Sequence, residues 1–308
     1  MDYFTKDKPY NSLNEYYRIK YGKKVAKLTL NQNVTCPNID GTKSKGGCIF
    51  CLNGAGEFTI PKLSIKDQLL AQKEIIEKKW PNTLFIPYFQ SNTNTYAKLD
   101  VLKKNFEEAI STIKDKTIGI SIATRADAFN DEIYNYLDEL NKKIPVQIEL
   151  GIQTSNEYTS RLINRALTND EIINCCKKLK ELNIEIVVHI INGLPYETID
   201  DMLNTIKFVN ELNIDGIKFH NLLIYKNTKL MELYNKKPFK ILNMDEYTDI
   251  VVKQICILNK NIIIHRLSAD GSLDNLFEPL WSRKKLSIMD KIDMKLRENG
   301  LYQGIYLK

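Results

Sequence analysis

The chain has 308 residues, 43% of them hydrophobic and 27% charged, and its 44 lysines and arginines against 38 acidic residues leave a net charge of +6. That length and apolar content suit one large α/β domain, or a main domain with a smaller annex. No run of about eighteen apolar residues occurs, and the opening MDYFTKDKPY has neither a signal-peptide core nor a transit-peptide character. No membrane span is therefore expected, and a cytoplasmic protein is. The positive balance alone describes a solvated surface better than a nucleic-acid footprint.

Taken in order, the chain first thickens in charge between Arg18 and Lys27, where Tyr16, Tyr17 and Tyr21 interleave with Arg18, Lys20, Lys23, Lys24 and Lys27. Aromatic rings among cations suit the stacking of unpaired bases, but a lead-in helix over one end of the fold is the favoured reading. From residue 27 a strand-like run followed by a helical pattern recurs about six times. Strands are predicted at 27–31, 83–90, 117–124, 145–153, 184–192 and 214–220, and helices at 64–79, 99–114, 131–141, 169–182 and 199–212. Such alternation implies right-handed crossovers and a parallel sheet.

A doubly wound sheet would make these strands apolar on both faces; instead they alternate. Val146, Ile148, Leu150 and Ile152 share one face, Gln147, Glu149, Gly151 and Gln153 the other, and Ile217 and Phe219 likewise oppose Gly216, Lys218 and His220. A closed eight-stranded barrel fills its lumen with branched apolar side chains. Six strands with a polar inner face suggest a partial barrel around a ligand. After Tyr225 the pattern changes to a helix at 245–258, a short strand at 262–265 and a last helix at 287–299. The expected division is a lead-in over 1–26, a barrel over 27–225 and an accessory region over 226–308 packed beside it.

The loop after the first strand, TCPNIDGTKSKGGCIFC at 35–51, holds three of the six cysteines, and Cys48 and Cys51 form a C-x-x-C pair. Such density serves metal, disulfide or redox chemistry rather than packing. A structural zinc site takes four ligands, yet the first histidine is His189. A disulfide would strand the third cysteine, and no secretory signal suggests an oxidising compartment. Iron–sulfur clusters also take thiolates, usually four; three on a cubane leave one iron open to a ligand that is not protein.

This segment resembles a bacterial family of radical S-adenosylmethionine (SAM) enzymes whose cluster loop reads roughly CPNxDGxxxxGGCxFC. That family is related to the radical SAM domain of the Elongator catalytic subunit and to oxygen-independent coproporphyrinogen oxidase. Pro37, Asn38, Asp40, Gly41, Gly46, Gly47 and Phe50 stand at their expected places, while Ile39 replaces a commoner arginine. The spacing C-x11-C-x2-C departs from the C-x3-C-x2-C of the wider superfamily.

The resemblance implies a partial (β/α)6 TIM-like barrel opening at its strand C-termini, a [4Fe–4S] cluster on Cys36, Cys48 and Cys51, and SAM on the fourth iron. It implies an electron donor such as flavodoxin or ferredoxin, and hydrogen abstraction from a substrate by a 5′-deoxyadenosyl radical. Cofactor contacts are expected from Phe50 against adenine, and from Gln90, Ser91 and Asn92 where many such enzymes bind the methionyl amine. Further contacts are expected from Arg125, from Glu149 and Gln153 of an E-x-G-x-Q segment, and from Gly193 beside an adenine-contacting edge at 191–194. Arg165, in preference to Arg161, would hold the methionyl carboxylate, which an arginine fork suits.

His220, ending the sixth strand on the face of Lys218, is the candidate to meet substrate, because strand C-termini carry catalysis in such barrels. His189 reads as core beside Val187 and Ile191, and His265 as part of a turn. Cys176 and Cys256 lie in apolar helical stretches and Cys175 is adjacent, so no second cluster is expected. Kinship with Elongator suggests a tRNA base as substrate, specifically a wobble uridine side chain. A small metabolite or tetrapyrrole precursor is the enzymatic alternative. A zinc-stabilised RNA-binding module, with Asp40 or water completing the ligands, is the alternative from another class.

Overall fold

The computed structural model describes residues 4–52, 63–90, 92–271 and 274–307. Helix α1 (Leu13–Tyr21) begins where the Ser12 hydroxyl accepts from the Glu15 N–H and stops at Gly22, whose left-handed conformation favours glycine. It leads into β1 (Val25–Leu30), α2 (Ile65–Lys79), β2 (Leu84–Phe89), α3 (Leu99–Thr112), β3 (Ile120–Thr124) and α4 (Asp131–Asn141). Then come β4 (Val146–Gln153), the short α5 (Glu157–Leu162), α6 (Asn169–Glu181), β5 (Glu185–Asn192), α7 (Ile199–Glu211) and β6 (Gly216–Asn221). The rest of the chain forms β7 (Ile224–Tyr225), α8 (Lys229–Lys236), α9 (Met244–Ile257), β8 (Ile263–Arg266), β9 (Leu276–Glu278) and α10 (Lys285–Glu298). Capping boxes start three of these helices, Thr168 with Glu171 on α6, Thr198 with Asp201 on α7 and Asn243 with Glu246 on α9, so their first backbone N–H groups are satisfied locally.

Among the described residues the sheet runs β1-β2-β3-β4-β5-β6-β8, parallel throughout, as an open half-barrel. The strand alternation is as expected. Ile120, Ile122, Ile148, Leu150, Ile186, Val188, Ile217 and Phe219 are buried under the helices, and the polar alternate positions face the lumen. Cys175, Cys176 and Cys256 are buried in the same core.

The sheet has seven strands where six were expected. The seventh, β8, comes from beyond residue 225 and pairs with β6 from Gly216↔Ile263 onward. An open β6 edge would expose unpaired backbone groups, and β8 satisfies them. The free side of β8 is met in turn by the N-terminal segment: Ser12 bridges Ile264, and the Ile264 N–H donates to the Asn11 carbonyl at 2.7 Å. His265 therefore lies in a strand, not a turn. Gly216 makes room for it, since a Cβ there would lie 2.6 Å from His265 Nε2.

Helix α1 precedes the N-terminal end of β1, away from the barrel mouth at the strand C-termini. Its aromatic rings are engaged with one another and with lysine: Tyr17 lies 5.4 Å from Tyr16 and 5.9 Å from Tyr21, and the Lys20 ammonium sits over the Tyr16 ring. The stretch thus lies at the end of the sheet opposite the mouth, where α1 packs on β1 and β8. No helix among the described residues is long and apolar enough to cross a membrane.

Candidate cofactor and active site

The cysteine loop is shaped by its own turns and then docked. Gly46 and Gly47 adopt positive φ, which lets the Gly47 N–H donate to the Asn38 carbonyl at 2.7 Å, and the Cys51 N–H donates to the Cys48 carbonyl at 3.0 Å. Asn38, buried, donates to the Asn164 carbonyl at 2.6 Å and lies 3.4 Å from Cys48 Sγ. The Ile49 N–H reaches the Ile163 carbonyl, and the Leu230 N–H at the start of α8 reaches the Ile49 carbonyl. The loop is thus clamped between the α5–α6 turn and α8. None of the six cysteines forms a disulfide, and Cys36, Cys48 and Cys51 remain partly exposed. All three line one cavity of about 360 Å³, a volume within the range of small-molecule sites. Burial pushes the Cys48 thiol up to about 11, with Arg125 opposing, so iron would be what makes it a thiolate. Among the described residues no three histidines, cysteines or carboxylates converge on a single-ion position; a cubane, whose ligands each hold a different iron, does not require them to.

Arg165 sits on the α5–α6 turn, between Asn164 and Ala166, which both have positive φ. Arg125 braces that turn, donating to the Arg165 carbonyl at 2.9 Å and the Ala166 carbonyl at 3.2 Å while both its remaining contacts go to Asp127. Arg125 lines the cavity, with four of its five N–H donors engaged in positioning. Arg165 itself is 1% exposed, and its Nε donates to the Gly151 carbonyl. Its Nη1 and Nη2 are buried without any partner. Burial, then Arg125, pulls its guanidinium down to about 9. Two buried, unpaired donor nitrogens carry an unmet desolvation cost, which a carboxylate entering the adjoining cavity would meet. The residues therefore fit the cluster and SAM that the cysteine loop implies.

Gln153 follows a register shift in β4 and has φ of 62°, which folds its amide over Gly151 at the cavity wall. Gln90 and Asn92 line the cavity at the end of β2, and the Asn92 amide also donates to the Val34 carbonyl. Ser91 lies outside the described residues. Phe50 is both wall and anchor, lining the cavity and packing against the cluster of Ile163, Leu194 and Leu222. Gly193 does not line this cavity. What approaches its bare face is the Leu242 side chain, 3.1 Å from where a Cβ would stand, and its N–H donates to Met202 Sδ. Ile191, two residues earlier, does line it.

The cavity floor was largely missed. Glu149, fully buried, accepts from Tyr88 at 2.6 Å, Ser121 at 3.0 Å, His189 at 2.6 Å, Lys218 at 2.5 Å and also Lys27. This corrects the reading of His189 as core: the face it shares with Val187 and Ile191 is the luminal one. Burial would raise the Glu149 carboxyl, but Lys218 and Lys27 hold it well below the carboxylate range. Burial takes Lys218 down to about 7 against the pull of Glu149, and burial with Lys218 takes His189 down to about 4. His220 lines the cavity, stacked 5.3 Å from His189, with its Nε2 buried and unpartnered. Lys218, on the inner face of β6 beside His220, was the available signal for this cluster.

A parallel half-barrel with a three-cysteine loop at its mouth defines a class, and the sequence comparisons agree with it. The chain belongs to the Radical SAM superfamily, whose profile matches residues 41–209, and the Radical_SAM C-terminal domain matches residues 214–298. The first match begins after Cys36 and takes in Cys48 and Cys51. YtqA of Bacillus subtilis is 38% identical over 311 residues, covering 99% of this chain and 95% of its own. The tRNA uridine(34) acetyltransferase of Methanocaldococcus infernus is 24% identical over 173 residues, 54% of this chain and 32% of that one. Among solved structures, N-terminally deleted Elp3 from the same archaeon superposes with a TM-score of 0.73 at 16% identity, covering 91% of this chain and 64% of that one; it speaks for the fold alone. The chain is thus an enzyme of a family that uses a [4Fe–4S] cluster and SAM.

Proposed function

We propose that Cys36, Cys48 and Cys51 each bind one iron of a [4Fe–4S] cluster, and that the two unpartnered nitrogens of Arg165 bind the methionyl carboxylate of SAM. The Arg165 guanidinium, buried beside the cysteine loop with only its Nε hydrogen-bonded, is the observation that carries this reading. When bound and reduced by a cytoplasmic donor such as flavodoxin or ferredoxin, the cofactor pair supplies a 5′-deoxyadenosyl radical that abstracts hydrogen. The chain's own part is position and dryness. Asp127 and Arg125 fix the turn that presents Arg165, Gln153 offers an amide at the end of β4, and Phe50 and Ile191 exclude water. His220 offers an unpaired ring nitrogen towards substrate.

For substrate we propose a tRNA wobble uridine side chain. Two observations support it: the partial similarity to a tRNA uridine(34) acetyltransferase, and the exposed Lys226, Lys229 and Lys236 on and before α8, the helix that holds the cysteine loop. Replacing these three lysines by Glu should weaken tRNA binding and flatten its salt dependence by roughly one unit of slope per lost phosphate contact; replacing Lys23 and Lys24, at the far end of the barrel, should not. Modified nucleosides in total tRNA, compared between wild-type and deletion strains, test the substrate itself. A changed uridine at the wobble position is expected. Identical nucleoside profiles alongside an altered metabolite pool would reject the tRNA substrate.

A further inference from the structure

Beyond Arg165, the cavity and its floor hold a second concentration of positive charge, Lys27, Lys218 and Arg266, which the single carboxylate of Glu149 neutralises only in part. Neighbouring strands place Gly151, His189, Lys218 and Arg266 in one row around the wall, through the pairs Gly151↔His189, His189↔Lys218 and Lys218↔Arg266. Lys218 is buried and Arg266 partly buried, both line the cavity, and like charges directly opposite on adjacent strands repel. Two carboxylates line the cavity among the described residues, Glu149 and Asp270. Glu149 already accepts from five donors, and Asp270 is paired with Lys285 at 2.8 Å. Arg266 has no hydrogen-bond or ion-pair partner among the described residues. The nearby His220 Nε2 is buried and unpaired.

We infer that Lys218, Arg266 and His220 form an anion-binding subsite for the substrate, taking a carboxylate or a phosphate three strands round the wall from the Gly151 carbonyl on which Arg165 rests. This rests on the functional reading above, in which Arg165 is occupied by the cofactor. Glu149 already offsets the charge of Lys218; one anion at the second position offsets that of Arg266 and fills the open valences of Arg266 and His220 together, which no protein group among the described residues does. The enzyme would thereby select a substrate bearing an anionic group at a fixed distance from the reacting carbon.

The test uses reconstituted holoprotein with SAM bound, titrated calorimetrically at low ionic strength with sodium acetate and, separately, with inorganic phosphate. Saturable binding of at least one anion is expected, weakened about tenfold or more in Arg266→Gln, as for loss of a charged hydrogen bond, and unchanged in Lys142→Gln on the outer surface. Preference for acetate assigns a carboxylate on the substrate, and preference for phosphate a phosphate ester. In anion-free buffer Arg266→Gln should raise the thermal midpoint by about 2 °C, because it removes one of two facing like charges. Absence of saturable binding to the wild type, binding that survives Arg266→Gln, or a variant less stable than the wild type would each overturn the subsite. Iron content and SAM affinity are read on the same samples, so loss of either counts against the functional reading and is kept separate from loss of the anion.

Discussion

Arg165 lies on the α5–α6 turn and Arg125, just after β3, braces that turn from outside it; substitutions separate the two roles. Arg165→Gln removes the donors aimed into the cavity and should weaken SAM binding by about 1.5–3 kcal/mol, the range for a hydrogen bond to a charged group. Arg125→Gln should weaken it less, because the lost contacts hold the turn and not the ligand; equilibrium binding of SAM to reconstituted protein measures both, and equal losses would mean that Arg125 touches the cofactor. His189 gives a pH signature. Its native pKa of about 4 lies below the ordinary 6.5, so below pH 6.5 the unfolded chain takes up a proton that the native state refuses. Stability is therefore lost as pH falls from about 6.5 to 4, by at most about 3 kcal/mol, and the fall in thermal midpoint over that window should be shallower in His189→Gln. At this scale the sequence disclosed what was local. Three cysteines within one loop announce themselves, whereas the donors on Glu149 come from positions 27, 88, 121, 189 and 218 and converge only when the sheet forms. A glycine opening such as Gly193 is equally good for a ligand and for a side chain, and in the fold the Leu242 side chain stands there.

The strands of the barrel were readable element by element, β3, β4 and β6 by their alternation of polar and apolar residues, and the helix expected at 131–141 is α4 to the residue, starting where the Asn130 side chain accepts from the Ile133 N–H. β8 was recognised as a strand but not as part of the barrel. Its four residues, IIHR, carry no alternation long enough to show a luminal face, and α8 and α9 separate it from β6 in sequence. Its fit depends on Gly216. Gly216→Ala would place a Cβ 2.6 Å from His265 Nε2 and 3.1 Å from Val187 Cγ2, between two packed strands, and should cost about 1–3 kcal/mol as overpacking. The thermal midpoint should fall by several degrees; a variant as stable as the wild type would show that β8 is not packed tightly against β6.

Over the whole molecule the two termini close the sheet together. Tyr10 donates to Asp293 at 2.8 Å, the Asn11 N–H donates to the Gln303 side chain, and the Gln303 amide donates to the Asn259 and Ile262 carbonyls beside β8. A fragment of residues 1–225 would leave the β6 edge open and the partners of Tyr10 and Asn11 absent, so it should lack a cooperative thermal transition by circular dichroism. A cooperative transition in that fragment would establish the barrel as independent of the C-terminal region. The cluster loop depends on the same assembly, since α8 grips it from beyond residue 225. The most direct test is therefore made on the intact chain, reconstituted anaerobically and assayed for iron, acid-labile sulfide and 5′-deoxyadenosine released from SAM under reduction. Wild-type protein should hold about four irons with matching sulfide and release 5′-deoxyadenosine, and Cys36→Ala should lose that activity while Cys256→Ser keeps it. Colourless wild-type protein carrying zinc, or a Cys36→Ala variant that still cleaves SAM, would contradict the assignment.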